Sequence, residues 1–352
     1  MKRETALIVK LGAIGDVVMS LPVADAIKKE SPACRITWLI GSRAAALIEG
    51  HPSIDELLVI DENDFWKKRL FSLFKLLWTV RQRHFDRVYL LHWSTLFHVF
   101  FWLAGIPDRH GFARGGKSFG LTRSVPYGEG TGAPLQVNQY LSVVSGAYPQ
   151  DNQVRLTPHL VLEPTLESSV LKTMRTRFPD RAWITMAPGG GNNPKAQMPE
   201  RRWPVSSFSQ LAQELIRETS YAILILGDRS ESQLLDALGP DMAPHFLNLA
   251  GALTLKESAV LIKHSLLFIG NDSGLLHVAG AVGTPNLSFF GPTSPVDKVP
   301  VWTRYRVLYR SEPCSPCYKF GVAPPCPYHL KCLTQISPDQ ALAECKALLA
   351  AS

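Results

Sequence analysis

No stretch of this 352-residue chain supplies the roughly 20 mostly apolar residues that cross a bilayer as a helix. Residues 65–83 carry Lys67, Lys68, Arg69, Lys75, Arg81 and Arg83, and residues 88–106 are interrupted by His92, Ser94, Thr95 and His98. Nor is there a leader pattern at the start, where Met1-Lys2-Arg3-Glu4-Thr5 runs into only a strand-length apolar segment, Ala6-Leu7-Ile8-Val9. Short repeats and low-complexity tracts are missing. With 46% hydrophobic and 19% charged residues, a disordered or fibrous chain is excluded. Two phosphate signatures are also absent: without GxGxxG there is no dinucleotide fingerprint, and without GxxxxGK[ST] no P-loop hydrolysis. These absences predict a soluble cytoplasmic protein, in which the six cysteines are free or metal-bound rather than a disulfide framework.

What is present is a chain long enough for two domains and a net charge of +7, which points to an anionic partner without choosing one. Strand-like runs at 6–9, 35–40, 57–60 and 87–91 alternate with helical patterns, as in βαβ units of a parallel sheet. A Pro- and Gly-rich stretch, Pro126 to Pro134, precedes a helix near Val137 to Tyr148, and the rhythm restarts with runs at 182–186, 222–226, 266–269 and 286–290. Two successive α/β sheets are therefore expected, with domains at 1–165 and 166–336. A last helix at 337–352 packs on its own domain or crosses back to the first.

Three strand-to-helix loops carry chemistry. The first, Leu11-Gly12-Ala13-Ile14-Gly15-Asp16, offers two glycines where a Cβ would obstruct close approach and a carboxylate at the carboxyl edge of the sheet, where ligands bind in open α/β folds. Asp16 also suits the positive end of a helix with no further role. The second, Asn271-Asp272-Ser273-Gly274-Leu275-Leu276-His277, can cap its helix through Asp272 or Ser273 or present backbone N–H groups to a phosphate, with His277 one turn beyond Ser273. The third, Ala187-Pro188-Gly189-Gly190-Gly191-Asn192-Asn193, is followed by Lys195 and Arg201-Arg202-Trp203-Pro204, a Gly-rich loop with nearby cations suited to a pyrophosphate. Thr293 and Ser294, after Phe289-Phe290-Gly291-Pro292, are further hydroxyl donors or simple turn residues.

In this order the pieces resemble the ADP-heptose:lipopolysaccharide heptosyltransferases, glycosyltransferase family 9. The resemblance rests on Leu11 to Pro22, Pro188-Gly189, Arg201-Arg202-Trp203-Pro204, Asn271 to His277 and Phe290-Gly291-Pro292-Thr293-Ser294-Pro295, each weak alone and strong as a set. It implies a GT-B fold, two Rossmann-like domains facing a central cleft, the first binding acceptor and the second the nucleotide sugar. It implies inverting transfer of L-glycero-D-manno-heptose from ADP-heptose to an inner-core lipopolysaccharide acceptor, at the inner face of the inner membrane and with no catalytic cofactor. Carried over, Asp16 is the general base in a loop with Gly12 and Gly15. Arg201, standing where the family often has Lys, binds the donor with Lys195, Asp272, Ser273, Gly274 and His277; Asp228 and Glu231 both remain candidates for the ribose. Alternatives are a protein acceptor, or a nucleotide-sugar-binding module without catalysis.

Four cysteines, Cys314-x2-Cys317-x8-Cys326-x5-Cys332, are spaced for a structural Zn or Fe site or are free thiols, while Cys34 and Cys345 read as packing residues. Residues 67–123 hold eleven Lys or Arg and two Asp or Glu. Within this region Phe65, Trp66, Phe71, Phe74 and Trp78 recur at near-helical spacing beside Lys68 and Lys75. That is an amphipathic basic helix for an anionic membrane surface, or core aromatics under a solvated face. An anionic glycolipid fits this charge; no nucleic-acid module accompanies it.

Overall fold

Runs such as Thr5-Ala6-Leu7-Ile8-Val9 are apolar on both pleat faces, which suits a strand covered by helices on either side. In the computed structural model, which describes residues 3–67, 69–127, 135–149, 153–190, 192–193, 196–231, 244–318 and 324–351, they become parallel strands. The chain divides into two compact units, Met1–Val161 and Leu162–Ser352.

The first unit runs β1 (Thr5–Val9), α1 (Ile14–Ser20), α2 (Pro22–Glu30), β2 (Arg35–Gly41), α3 (Ser42–Ile48), β3 (Glu56–Ile60), α4 (Asn63–Trp66), α5 (Leu70–Gln82), β4 (Arg87–Leu90), α6 (Thr95–Leu103), β5 (Asp108–Ala113), β6 (Arg123–Pro126) and α7 (Gln136–Ser145). Its sheet has the order β3-β2-β1-β4-β5-β6, parallel throughout. Order reverses between β2-β1 and β1-β4, so the loop after β1 opens at the switch point where such sheets bind ligands. One face of the sheet is packed by Leu7, Val9, Leu39, Val88 and Leu90 against Phe65, Val80, Phe97 and Phe101.

The second unit repeats the plan: α8 (Pro164–Arg177), β7 (Trp183–Ala187), the two-residue β8 (Asn192–Asn193) and β9 (Ala196–Gln197), α9 (Val205–Glu218), β10 (Ala222–Ile225), β11 (Phe246–Asn248), α10 (Leu255–Lys263), β12 (Phe268–Asn271), α11 (Gly274–Ala281), β13 (Asn286–Phe290), β14 (Tyr305–Tyr309), α12 (Lys331–Thr334) and α13 (Pro338–Ala350). Its sheet is again parallel, β11-β10-β7-β12-β13-β14. Of the two placements open from sequence, α13 takes its own unit: Ala341, Cys345 and Leu348 enter the core beside Leu211, Leu215 and Leu287.

Four strands of the two six-stranded sheets escaped the sequence reading. β5, β6, β11 and β14 lie at or next to the sheet edges and mix apolar with charged or small residues, so they lack the continuous apolar run that marked the central strands. The aromatic run also separates differently from the single helix expected. Phe65 belongs to α4 and is buried, stacked on Phe97 at 4.7 Å, whereas Phe71, Phe74 and Trp78 of α5 are exposed. The side chain of Trp66 and all of Lys68 lie outside the described residues.

Candidate active site

At the switch point of the first sheet, the buried Lys10 directly follows β1 and α1 begins at Ile14, which places Asp16 in the first helical turn. Its carboxylate is held from two sides. Lys10 Nζ lies 3.3 Å from Oδ2, and the Tyr140 hydroxyl, brought in by α7, donates to Oδ1 at 3.0 Å. Lys10 also sits over the Tyr140 ring, 5.0 Å from its centroid. Burial and the Asp16 carboxylate push the Tyr140 phenol well above its usual range, so it remains a neutral donor. His92 closes the back of the loop, its Nε2 accepting from the Leu11 N–H at 3.2 Å. The Asp16 side chain keeps 35% of its surface exposed, so it is anchored and still within reach of a substrate.

Gly12 lies open to its surroundings. A Cβ built there meets nothing within 4 Å, so crowding by the chain itself does not demand the glycine. Gly15 is buried within α1. Lys10 and Tyr140 were missed from sequence. The signal for Lys10 was a lone cation at the end of a buried central strand, a place that is costly unless the charge is paired; Tyr140 carried none, because 124 residues separate it from Asp16.

In the second unit, Asn271 ties three loops together. Fully buried at the end of β12, it accepts the Trp203 N–H at 2.9 Å and donates to the Pro188 and Gly189 carbonyls at 2.8 and 2.9 Å. Trp203 is itself a core residue, stacked on Phe289 at 4.1 Å with its ring N–H on the Ile336 carbonyl, so Arg201 and Arg202 are carried by an anchored turn. Substituting Asn271→Ala leaves one buried N–H and two carbonyls short of a partner. We expect a loss of about 2–4 kcal/mol, read as a lower denaturant midpoint for the second unit.

Arg201 donates to the Asp272 carbonyl at 2.7 Å and to its Oδ2. Burial raises the Asp272 proton affinity, but Arg201, Lys298 and His277 outweigh it, so the carboxyl is held below its usual range and stays ionised. His277 is buried with Nε2 4.0 Å from Asp272 Oδ1, so it faces this carboxylate. Neither Asp272 nor Ser273 caps α11: Ser273 stands at the N-cap with no side-chain hydrogen bond to the helix. Its buried hydroxyl and the buried Arg201 Nε have no hydrogen-bond partner among the described residues. Two unused donors beside an uncapped helix N-terminus have the chemistry to receive an anion. Gly190 closes it, at φ +112° and with a would-be Cβ 2.8 Å from the Ser273 Cβ; no larger residue fits.

The two ribose candidates separate. Glu231 is buried, accepts the Gly190 N–H at 2.7 Å and the Asp228 N–H at 3.1 Å, and lies 3.8 Å from Arg202; Asp228 is exposed. Thr293 is buried, and Ser294 Oγ accepts the Val296 N–H at 3.2 Å, a turn bond. Lys195 lies outside the described residues. Lys298, which sequence reading missed, joins the cations around Asp272.

A family model described as glycosyltransferase family 9 (heptosyltransferase) matches residues 73–323, most of the chain. The chain belongs to this family. It is 28% identical over 353 aligned positions to "Lipopolysaccharide heptosyltransferase 2" of Escherichia coli (strain K12), covering 96% of each protein. The fold of this family 9 glycosyltransferase is GT-B. Its two six-stranded parallel sheets superpose with a TM-score of 0.79 on "Structure of E. coli ADP-heptose lps heptosyltransferase II", at 23% identity and 99% coverage of both chains. They superpose at 0.68 on "E. coli heptosyltransferase WaaC with ADP-2-deoxy-2-fluoro heptose", at 15% identity over 97% of this chain and 99% of the other.

The four thiols read from sequence as a Zn or Fe site or as free thiols come near one another without a preformed tetrahedron among the described residues. Cys314, Cys317, Cys326 and Cys332 are all free, and the first is exposed while the last is a core residue against Gly291. Burial and the neighbouring thiols push Cys332 up to about 11, so they share a corner of the fold. A Zn–S bond of about 2.3 Å requires sulfurs about 3.8 Å apart, and among the described residues no three of these sulfurs lie within 4.8 Å of one another. Cys34 and Cys345 are buried packing residues.

Proposed function

We propose that this glycosyltransferase moves L-glycero-D-manno-heptose from ADP-heptose to an inner-core lipopolysaccharide acceptor, with inversion. The observation that carries the donor side is the turn at Asn271 to Gly274, where a largely buried, acid-anchored arginine and a serine hydroxyl with no partner among the described residues flank a helix N-terminus. That arrangement suits a diphosphate and not a neutral ligand. Likeness over 96% of the chain to a lipopolysaccharide heptosyltransferase, and to the fold of a heptosyltransferase solved with ADP-2-deoxy-2-fluoro heptose, supports the sugar and the acceptor class.

In this reading the second unit binds the donor and the first the acceptor. Arg201, Ser273 and the Gly274 N–H hold the diphosphate; Asp272 holds Arg201, His277 faces the Asp272 carboxylate, and Lys195 adds charge from the Gly-rich loop. Glu231 is the better ribose acceptor of the pair, because two N–H bonds fix its buried carboxylate, whereas Asp228 is exposed. Asp16 takes the proton of the acceptor hydroxyl as its oxygen bonds to the anomeric carbon and the carbon–oxygen bond to ADP breaks. A carboxylate paired with Lys10 is a weak base, but it suffices, since an oxygen bonding to an oxocarbenium-like carbon becomes strongly acidic. The decisive assay is ADP release with ADP-heptose and lipid A bearing 3-deoxy-octulosonic acid or its singly heptosylated form. Turnover only on a protein acceptor would replace the lipid reading, and tight ADP binding with no turnover on any acceptor would leave a binding module.

The acceptor side includes a membrane-docking face. Leu70, Phe71, Phe74 and Trp78 are all exposed on one side of α5, while Leu76 and Val80 are buried on the other. The Arg81 guanidinium bonds the Leu103 carbonyl at 3.3 Å, which joins this face to the exposed Trp102 and Leu103 of α6, and Trp102 in turn meets Phe119 at 5.8 Å. Lys75 and Arg81 border the aromatics, as on helices that lie in an anionic interface. No helix of the described residues is long and apolar enough to cross a membrane. Replacing Phe74 and Trp78 together by Ser is expected to weaken flotation with phosphatidylglycerol vesicles at least about 100-fold, since each large aromatic returned to water costs about 2 kcal/mol. Equal binding to neutral vesicles, or no loss in the double variant, would sink this face.

A further inference from the structure

Away from the two loops, a different set of ligating side chains converges in the first unit. Asp25 of α2, His51 just after α3 and His159 near the end of the unit bring one ligand atom each to within 4.8 Å of one another. Asp25 Oδ2 lies 3.7 Å from His159 Nδ1, and the two imidazoles face each other at 4.5 Å between centroids, 35° from parallel. His51 is only 3% exposed, and its Nε2 is buried with no hydrogen-bond partner among the described residues. A buried polar atom left unsatisfied is costly, and nothing in the proposed transfer uses it. The other carboxylate oxygen of Asp25 accepts from the Ser53 hydroxyl at 2.5 Å, the kind of bond that orients a metal-binding carboxylate.

We propose that Asp25, His51 and His159 form a divalent transition-metal site of the zinc class. Two imidazoles and one carboxylate are borderline ligands that suit Zn²⁺, and the half-exposed His159 leaves room for water as the fourth ligand. Ligand bonds of about 2.0–2.2 Å require ligand atoms roughly 3.4 Å apart, so the observed gaps close by side-chain rotation of an ångström or so. The Ser53 N–H lies 3.3 Å from His51 Nδ1, a long contact that places the proton of the neutral ring on Nε2. Coordination through Nδ1 replaces that contact; coordination through Nε2 moves the proton to Nδ1 and releases it. Either exchange gives up one weak bond for a metal bond.

The site has a mechanical consequence. Asp25 and His51 are fixed by α2 and by the end of α3, whereas His159 belongs to the strand-free segment 153–161 that leads into the second unit. A bound ion fastens that segment to the first unit.

The test uses the full chain, stripped with chelator and titrated with Zn²⁺ and, separately, Co²⁺. The expected result is one equivalent bound with a tetrahedral Co²⁺ spectrum that lacks a sulfur-to-cobalt charge-transfer band, which distinguishes this site from the cysteines. Affinity falls at least about 100-fold in His159→Ala, a half-exposed position that tolerates truncation, and about 10-fold in Ser53→Ala. Zn²⁺ protects segment 153–161 from proteolysis in the unaltered protein and not in His159→Ala. Failure to bind either ion, a thiolate charge-transfer band, or unchanged affinity in His159→Ala overturns the proposal.

Discussion

Asp16→Asn is expected to lower kcat by about 10³-fold or more while ADP-heptose still binds. The substitution keeps an oxygen to accept the Tyr140 hydroxyl, so the loop retains half of its anchoring, and it removes only the proton acceptor and the charge facing Lys10. Because the proposed donor turn lies in the other unit, KM for ADP-heptose is expected to change little, while the melting temperature falls as the buried Lys10 loses the carboxylate it faces. Steady-state kinetics with saturating acceptor, alongside calorimetric ADP-heptose binding, separates these effects. An active Asp16→Asn enzyme would refute the base assignment, and loss of donor binding with loss of turnover would make Asp16 a structural residue.

Removing Arg201 is expected to act on activity and stability together. Arg201→Ala deletes the donor aimed at the leaving diphosphate, a change that costs on the order of 10²- to 10³-fold in kcat where charge develops in the transition state. It also strands Asp272, which is almost wholly buried and paired with that guanidinium, at about 3–5 kcal/mol. Linkage gives the stability term its own signature. The folded-state pKa of Asp272 lies below its unfolded value, so its contribution is present above the unfolded pKa and is lost as pH falls through the folded one. In the variant, burial acts with less opposition and the pKa rises. The melting difference between the two proteins should therefore narrow on acidification below about pH 4, where Asp272 is protonated when unfolded. Arg201→Lys restores charge without the fork; it should recover most of the stability and only part of the rate, because one ammonium cannot serve both Asp272 and a phosphate. A pH-independent difference would remove Asp272 as the stabilised group.

The two predictions test residues whose legibility differed. Asp16 and the Asn271 to Gly274 turn stood out because their chemistry is local: a carboxylate or a polar turn soon after a buried strand, within a few residues of glycine; Arg201 stood out in the run Arg201-Arg202-Trp203-Pro204. Lys10 and Tyr140 became partners of Asp16 only when β1 and α7 packed together, and contact across 124 residues leaves no spacing to read. Asn271 was visible as the first residue of a motif but not as the clasp of three loops, since its partners Pro188, Gly189 and Trp203 are 68 to 83 positions away. For the thiols, spacing left two outcomes open. Sequence distance permits a tetrahedron at Cys314, Cys317, Cys326 and Cys332, and the fold brings them near one another while Cys332 packs in the core beside Leu333.

From the sequence alone came the two parallel sheets, since each central strand is a continuous apolar run between helical patterns and needs covering on both faces. The absence of a membrane span and the location of the basic region were equally local properties. Tertiary structure decided which members of a pattern face the same point. It separated buried Phe65 from exposed Phe71, Phe74 and Trp78, turned His277 toward Asp272, and gathered Asp25, His51 and His159 from three distant segments. The physical reason is the range of the forces involved. Burial of apolar runs is dictated by neighbours along the chain, whereas hydrogen bonds and ion pairs act over about 3–4 Å between groups that only packing brings together.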